Sequence, residues 1–124
     1  NYHIFQICRK DSIVLENVER VDQSLSNLEL FSMLANSEKR VLIDSCLQHA
    51  AVSFNLPSTV LWVGTSPNVF GYKLHKNIVA KIPNKKNQLI GSYLFDYQFE
   101  NNIHECPYIN MNEMFDVNQV LNSI

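Results

Sequence analysis

The chain has 124 residues, of which 46% are hydrophobic and 18% charged, and its formal net charge at pH 7 is −2. This composition excludes a disordered or collagen-like chain, and the slightly acidic balance argues against nucleic-acid binding, which usually needs a basic domain. No apolar run approaches the roughly 20 residues of a transmembrane helix, and the first residues lack the pattern of a signal peptide.

The cysteines and histidines predict neither a disulfide framework nor a metal site. The three cysteines have no C-x-x-C spacing, which favours a reducing compartment. The four histidines are dispersed, and only His104 and Cys106 bring two metal-binding side chains close together. We therefore expect no metal, no cofactor and a cytoplasmic location, with peripheral membrane association left open.

The charged residues are unevenly distributed. Five of the ten basic residues lie between Lys73 and Lys86, whereas residues 87–124 contain five acidic residues and no lysine or arginine. The structural interpretation is a solvated lysine-rich loop followed by an acidic tail. The alternative is a basic rim that attracts a phosphorylated ligand or an anionic membrane surface.

Strand and helix patterns alternate in the first part of the chain. Residues 2–8 are β-branched and aromatic, which predicts a buried strand, and residues 18–21 predict a weaker one. Ser26 or Asn27 is expected to cap a helix. Residues 40–43, in which Val41-Leu42-Ile43 form an apolar run after Arg40, predict a fully buried strand.

The same alternation continues after the third strand. A helix is expected over residues 45–54, and residues 55–57 end it because the residue before a proline disfavours helical angles. Residues 59–63 and 77–80 predict two further strands, and Trp62 is expected in the core.

A last helix is expected near the end of the chain, with Asn110 or Asn112 as its cap. Its apolar residues are Met114, Val117, Val120 and Leu121. Short apolar strands alternating with helices indicate an α/β fold with a mostly parallel, Rossmann-like sheet and flanking helices. Ligands of such sheets bind beyond the carboxyl ends of the strands.

The residues after the third strand have the chemistry of an anion site. Asp44 and Ser45 precede the first turn of a helix, where free N–H groups and the helix dipole attract anions. The Ser45 hydroxyl can donate to a phosphate oxygen, and His49 lies about one helical turn later. The structural alternatives are Asp44 as a helix cap, Ser45 as an ordinary N-terminal serine, and His49 as a core histidine bonded to a backbone carbonyl.

This segment resembles glycosyltransferase family 9, which contains the bacterial heptosyltransferases. That family shows a strand, then Asp-Ser/Thr-Gly-x-x-His-x-x-Ala, a short stretch to a proline, and a hydrophobic strand ending in Gly-Pro-Thr-Ser/Asp-Pro. The similar residues here are Asp44-Ser45-Cys46-Leu47-Gln48-His49-Ala50-Ala51, Leu56-Pro57 and Val60-Leu61-Trp62-Val63-Gly64-Thr65-Ser66-Pro67. Residues 25–34, 70–72 and 106–121 are similar to further family segments.

The resemblance implies that residues 1–124 are one α/β domain, the C-terminal part of a larger two-domain protein of the GT-B type. It implies inverting transfer of a sugar from a UDP- or ADP-linked nucleotide diphosphate sugar to a glycan or other hydroxyl acceptor. The acceptor site and the catalytic base would lie in an N-terminal domain or a partner chain. It implies a catalytic role for His49, whose protonated ring would offset charge on the leaving diphosphate. The implied donor-binding residues are Asp44, Ser45, Cys46, Leu47, His49, Thr65 and Ser66.

Two departures from the family pattern leave other functions open. Cys46 stands where the family has a glycine that lets the diphosphate approach the backbone. The chain also begins at the second strand of the family's donor domain, so its sheet would be split or would pair differently. These departures favour a non-catalytic nucleotide-binding or protein-interaction module with a degenerate donor site. An unrelated α/β nucleotide-binding enzyme is disfavoured, since neither G-x-G-x-x-G nor G-x-x-x-x-G-K-[ST] occurs.

Two further alternatives concern single residues. Thr65 and Ser66 fit a simple turn as well as a phosphate-binding loop. Cys46 as a nucleophile is disfavoured because no base partner is visible in the sequence.

Overall fold

The protein is built from short parallel strands and helices. The computed structural model describes residues 2–22, 24–63, 65–81 and 114–124. These residues fall into two compact units, residues 1–33 and 34–124. All three described strand pairs are parallel and alternate with helices along much of the chain, which confirms the α/β prediction.

The first unit contains two paired strands. Strand β1 (Phe5–Cys8) pairs in parallel with β2 (Glu19–Asp22). The Gln6 side chain holds the connection between them, because its Nε2 donates to Ile13 O and its Oε1 accepts from Leu15 N, both at 2.8 Å. Both predicted strands are therefore present, each beginning later than the sequence pattern.

Helix α1 (Asn27–Asn36) begins at a capping box. The Glu29 amide donates to Ser26 Oγ at 3.3 Å, and the Glu29 carboxylate accepts from the Ser26 amide at 2.8 Å and from its hydroxyl at 2.7 Å. The hydrogen bonds from the Ser26 side chain and then its backbone lower the pKa of Glu29 below its ordinary value. Ser26 is thus the cap, one of the two residues expected.

The second unit contains a three-stranded parallel sheet in the order β3-β4-β5. Its strands are β3 (Val41–Ile43), β4 (Thr59–Trp62) and β5 (Lys76–Val79). Helix α2 (Cys46–Ser53) connects β3 to β4 and packs on β3, and the short helix α3 (Pro67–Phe70) lies between β4 and β5. The helix predicted over residues 45–54 and the two strands after it are confirmed.

Helix α2 ends in a Schellman motif. Asn55 has a φ of 55°, and its amide donates to Val52 O at 2.9 Å, while Leu56 N donates to Ala51 O at 2.8 Å. Asparagine tolerates this left-handed conformation better than most residues. The chain then reaches Pro57, so the expected stop at residues 55–57 is confirmed.

Helix α4 (Val117–Leu121) is capped by Asp116, whose carboxylate accepts from two first-turn amides at 3.0 and 3.3 Å. The predicted caps, Asn110 and Asn112, are wrong because the aspartate immediately before the first turn takes that position; both asparagines lie outside the described residues. Met114 precedes the helix instead of lying within it.

The core of the second unit centres on β4. Val60, Trp62 and Ala51 are completely buried, and Ile78 and Ala80 of the β5 region are nearly so. The Trp62 indole donates to Asn77 Oδ1 at 2.8 Å, which satisfies its N–H within the core. The expected core position of Trp62 is confirmed.

Two strands predicted to be buried are exposed. Phe5 and Ile7 of β1 are 47% and 39% exposed, and Val41 and Ile43 of β3 are 46% and 62% exposed. The burial predictions were wrong because, among the described residues, β1 has one partner strand and β3 lies at the edge of its sheet. A continuous apolar run indicates that a strand can be buried, but it carries no information on how many neighbours the strand has.

Several sequence predictions lie outside the described residues. These are the segment 84–102, the connection 106–109 and the pair His104 and Cys106.

Candidate functional site

Two of the predicted site residues meet at the carboxyl edge of the second unit's sheet. Asp44 follows β3, Thr65 follows β4, and the two strands are parallel neighbours. The Thr65 hydroxyl donates to Asp44 Oδ2, so one hydrogen bond joins the segments that leave the two strands. The structure therefore brings together two of the predicted site residues, Asp44 and Thr65.

Ser45 caps helix α2. It has extended backbone angles, φ −160° and ψ 175°, and its Oγ accepts from Leu47 N at 3.4 Å. The structural alternative that made Asp44 the cap is thus wrong, because Ser45 fills that position. Cys46 is the first residue of the helix and its side chain is exposed. The Ser45 hydroxyl keeps its own hydrogen for a further acceptor.

The Asp44 carboxylate is held by two neighbouring side chains. Its Oδ2 accepts from Thr65, and its Oδ1 lies 3.4 Å from Gln48 Nε2. Asp44 therefore connects the end of β3 to both the β4–α3 connection and the first turn of α2.

Gln48 is a buried polar residue that the sequence analysis did not select. Its side chain is completely buried, and its Nε2 lies 3.1 Å from Phe70 O and 3.3 Å from His49 Nε2, in addition to the contact with Asp44. Its Oε1 is buried without a partner among the described residues. The available signal was its position four residues after Asp44, one turn along the helix.

His49 is exposed and pairs with a tyrosine. His49 Nδ1 lies 2.8 Å from Tyr72 Oη, and the rings meet edge to face with centroids 5.5 Å apart. The alternative of a core histidine bonded to a backbone carbonyl does not describe His49. It describes His75, which is 6% exposed and whose Nε2 donates to Gln48 O at 3.0 Å.

Ser66 has a structural role at the start of α3. It is 3% exposed, and its Oγ accepts from Asn68 N at 3.3 Å. At the other end of this helix, Gly71 packs closely on Pro67: a Cβ at Gly71 would lie 2.5 Å from Pro67 O. A side chain at Gly71 would therefore clash with the backbone of Pro67, and Ser66 is occupied as the cap of α3.

Neither a metal-binding cluster nor a membrane-spanning helix is found in the described part of the chain. It contains no group of three or more His, Cys, Asp or Glu residues that could hold a metal ion. None of the helices in the described ranges is long and apolar enough to cross a membrane.

Comparisons with known proteins identify no relative of this chain. No protein-family model matches the sequence, and no significant match is found among curated proteins or solved structures.

Proposed function

We propose that this chain is the donor-binding part of a glycosyltransferase similar to family 9, and that residues 44–49 and 65–66 bind a UDP- or ADP-linked sugar. The observation that supports this most directly is the hydrogen bond from Thr65 to Asp44, which joins the ends of two adjacent parallel strands. Ligands of α/β sheets bind at such ends. The N-terminus of α2 opens at the same edge and favours an anionic group such as a diphosphate.

In this proposal the chain binds the nucleotide sugar in a Rossmann-like, GT-B-type arrangement, and the acceptor binds to a further domain or a partner chain. The bond from the anomeric carbon to the diphosphate oxygen breaks, and a bond to the acceptor hydroxyl oxygen forms with inversion. The hydroxyl proton passes to a base on the acceptor side. His49, one turn from Ser45, helps to stabilise the charge that develops on the diphosphate. The cytoplasmic location stays a prediction.

The second candidate function is a non-catalytic nucleotide-binding module. Both oxygens of Asp44 and both ring nitrogens of His49 lie within hydrogen-bonding distance of other side chains. Such internal contacts suit residues that support a binding surface. A protein of this kind would bind the nucleotide but would not release it from a nucleotide sugar in the presence of acceptors.

Titration with ADP and with UDP, followed by amide NMR, tests the site. We expect binding with a Kd of about 1 mM or lower, corresponding to at least about 4 kcal/mol. The largest shift changes should fall on residues 44–49 and 65–66. Saturable binding that leaves these residues unchanged would contradict the assignment of the site.

Two serine caps give a matched pair of variants. Ser45 caps α2 in the proposed site, and Ser26 caps α1 away from it in the sequence and in the other unit. Replacing either with alanine should destabilise the protein by about 1 kcal/mol. Only Ser45→Ala should weaken nucleotide binding, by roughly fivefold for one lost hydrogen bond. Equal affinity in the two variants would argue against a phosphate contact at Ser45.

A further inference from the structure

Gln48 anchors a chain of hydrogen bonds that runs outward from the core. Its amide nitrogen lies 3.1 Å from Phe70 O and 3.4 Å from Asp44 Oδ1. Both of these atoms are acceptors, so the nitrogen of the amide, and not its oxygen, faces them. The orientation of the buried Gln48 amide is assigned by these two partners.

This orientation assigns the proton on the His49 ring. Gln48 Nε2 also lies 3.3 Å from His49 Nε2. The amide has two hydrogens for these three contacts, so one hydrogen is shared between two acceptors. Because an amide nitrogen cannot accept, His49 Nε2 carries no hydrogen toward it, and the ring hydrogen is on Nδ1. His49 Nδ1 then donates to Tyr72 Oη at 2.8 Å. The Tyr72 hydroxyl accepts this bond and keeps its own hydrogen for another acceptor.

The Tyr72 side chain is held in place but remains accessible. Tyr72 is 37% exposed, and its ring meets both His49 and His75 edge to face, with centroids 5.5 and 6.0 Å away. Its backbone carbonyl accepts from Asn77 Nδ2 at 3.0 Å. Because consecutive hydrogen bonds polarise one another, the terminal hydroxyl is a stronger donor than an isolated phenol.

We propose that Tyr72 is a further ligand-binding residue of this site. Its hydroxyl donates to a phosphate oxygen of the bound nucleotide, and His49 is the positioning residue that orients the phenol. This inference rests on the proposed nucleotide site, and it adds a residue to that site. It also explains how His49 would act on the diphosphate. Both of its ring nitrogens are already bonded to side chains, so His49 would act through the Tyr72 hydroxyl.

The protonated nitrogen of His49 can be measured by ¹⁵N NMR without any ligand. The wild-type ring should carry its hydrogen on Nδ1. In Tyr72→Phe the Nδ1 hydrogen loses its acceptor, so the Nδ1 signal should shift, but the hydrogen should stay on Nδ1 because the Gln48 amide still faces Nε2. The control Tyr2→Phe, which removes the hydroxyl of another exposed tyrosine, should leave the His49 signals unchanged. A wild-type ring that carries its hydrogen on Nε2 would overturn the inference.

Titration of the same proteins with ADP and UDP tests the ligand contact. Tyr72→Phe should bind about tenfold more weakly than wild type, the scale of one hydrogen bond to a charged group, and Tyr2→Phe should bind normally. If wild type and Tyr72→Phe bind equally well, the role of Tyr72 is wrong while the nucleotide site stands. If wild type binds neither nucleotide, both proposals are wrong.

Discussion

Cys46 presents its side chain to solvent at the first position of α2, beside the proposed diphosphate site. Replacing it with glycine should strengthen ADP or UDP binding by about fivefold, since the thiol stands where a phosphate would approach the backbone. The same change should cost about 0.5–1 kcal/mol of unfolding free energy, because glycine loses more chain entropy in a helix. Calorimetry and a thermal melt on both proteins measure the two effects. Unchanged affinity would argue against the donor site.

Because Gln48 is buried, replacing its neutral amide with an ionisable carboxyl group should make the stability of the protein depend on pH. In Gln48→Glu, burial and the nearby Asp44 should raise the pKa of the new carboxyl group above its unfolded value. Its destabilising effect should therefore be small in acid and grow as the pH rises, reaching about 3 kcal/mol or more at neutral pH.

Chemical denaturation at about pH 5 and about pH 8 measures this difference. The control is Gln119→Glu, on the exposed surface of α4, which should change stability little at either pH. A Gln48→Glu protein that is equally stable at both values would contradict the buried amide.

At the scale of the helices, local sequence chemistry was a good guide. The Ser26–Glu29 capping box and the stop at residues 55–57 depend on contacts within a few residues, and both were predictable. The start of α4 was missed because three polar residues compete as caps and only one adjoins the first turn. Exposure of β1 and β3 could not be predicted, since the number of neighbouring strands depends on the whole chain.

The candidate site was also predictable only in part from the sequence. Asp44 and Thr65 follow strands that the apolar pattern identified, so their meeting at one edge followed from parallel pairing. Tyr72 and Gln48 were missed because their roles arise from packing between segments distant in sequence: the Gln48 amide reaches Phe70, 22 residues away, and His49 reaches Tyr72, 23 residues away.

The capping box predicts a pH dependence confined to the start of α1. The pKa of Glu29 is lowered in the folded state, so its contribution is present above the unfolded value and is lost as the pH falls through the folded pKa. Amide exchange at the first turn of α1 should therefore quicken in acid, below about pH 4.5. Glu29→Gln should remove that step, and Glu38→Gln, beyond the helix, should leave it in place.

At the scale of the whole molecule, the edge position of β3 predicts unequal costs for matched substitutions. Ile43 and Ile78 are aligned across the sheet through Leu61, yet they are 62% and 4% exposed. Ile78→Ala should cost about 2–5 kcal/mol of unfolding free energy, whereas Ile43→Ala should cost less than about 1 kcal/mol. Denaturant titration measures both.

The result also tests whether another strand covers β3. A cost at Ile43 as large as that at Ile78 would show that β3 is buried in the protein in solution. That outcome would mean that the third strand is buried, as its apolar run predicts.

The side-chain hydrogen bonds of Asp44 and Gln48 should also determine how the start of α2 and residues 65–72 unfold locally. They connect the start of α2 to Thr65 and to Phe70, so neither segment can move away without breaking partly buried side-chain hydrogen bonds. Hydrogen–deuterium exchange should therefore report a single cooperative opening shared by residues 46–49 and 67–72. A nucleotide that contacts both segments would slow exchange in both by the same factor.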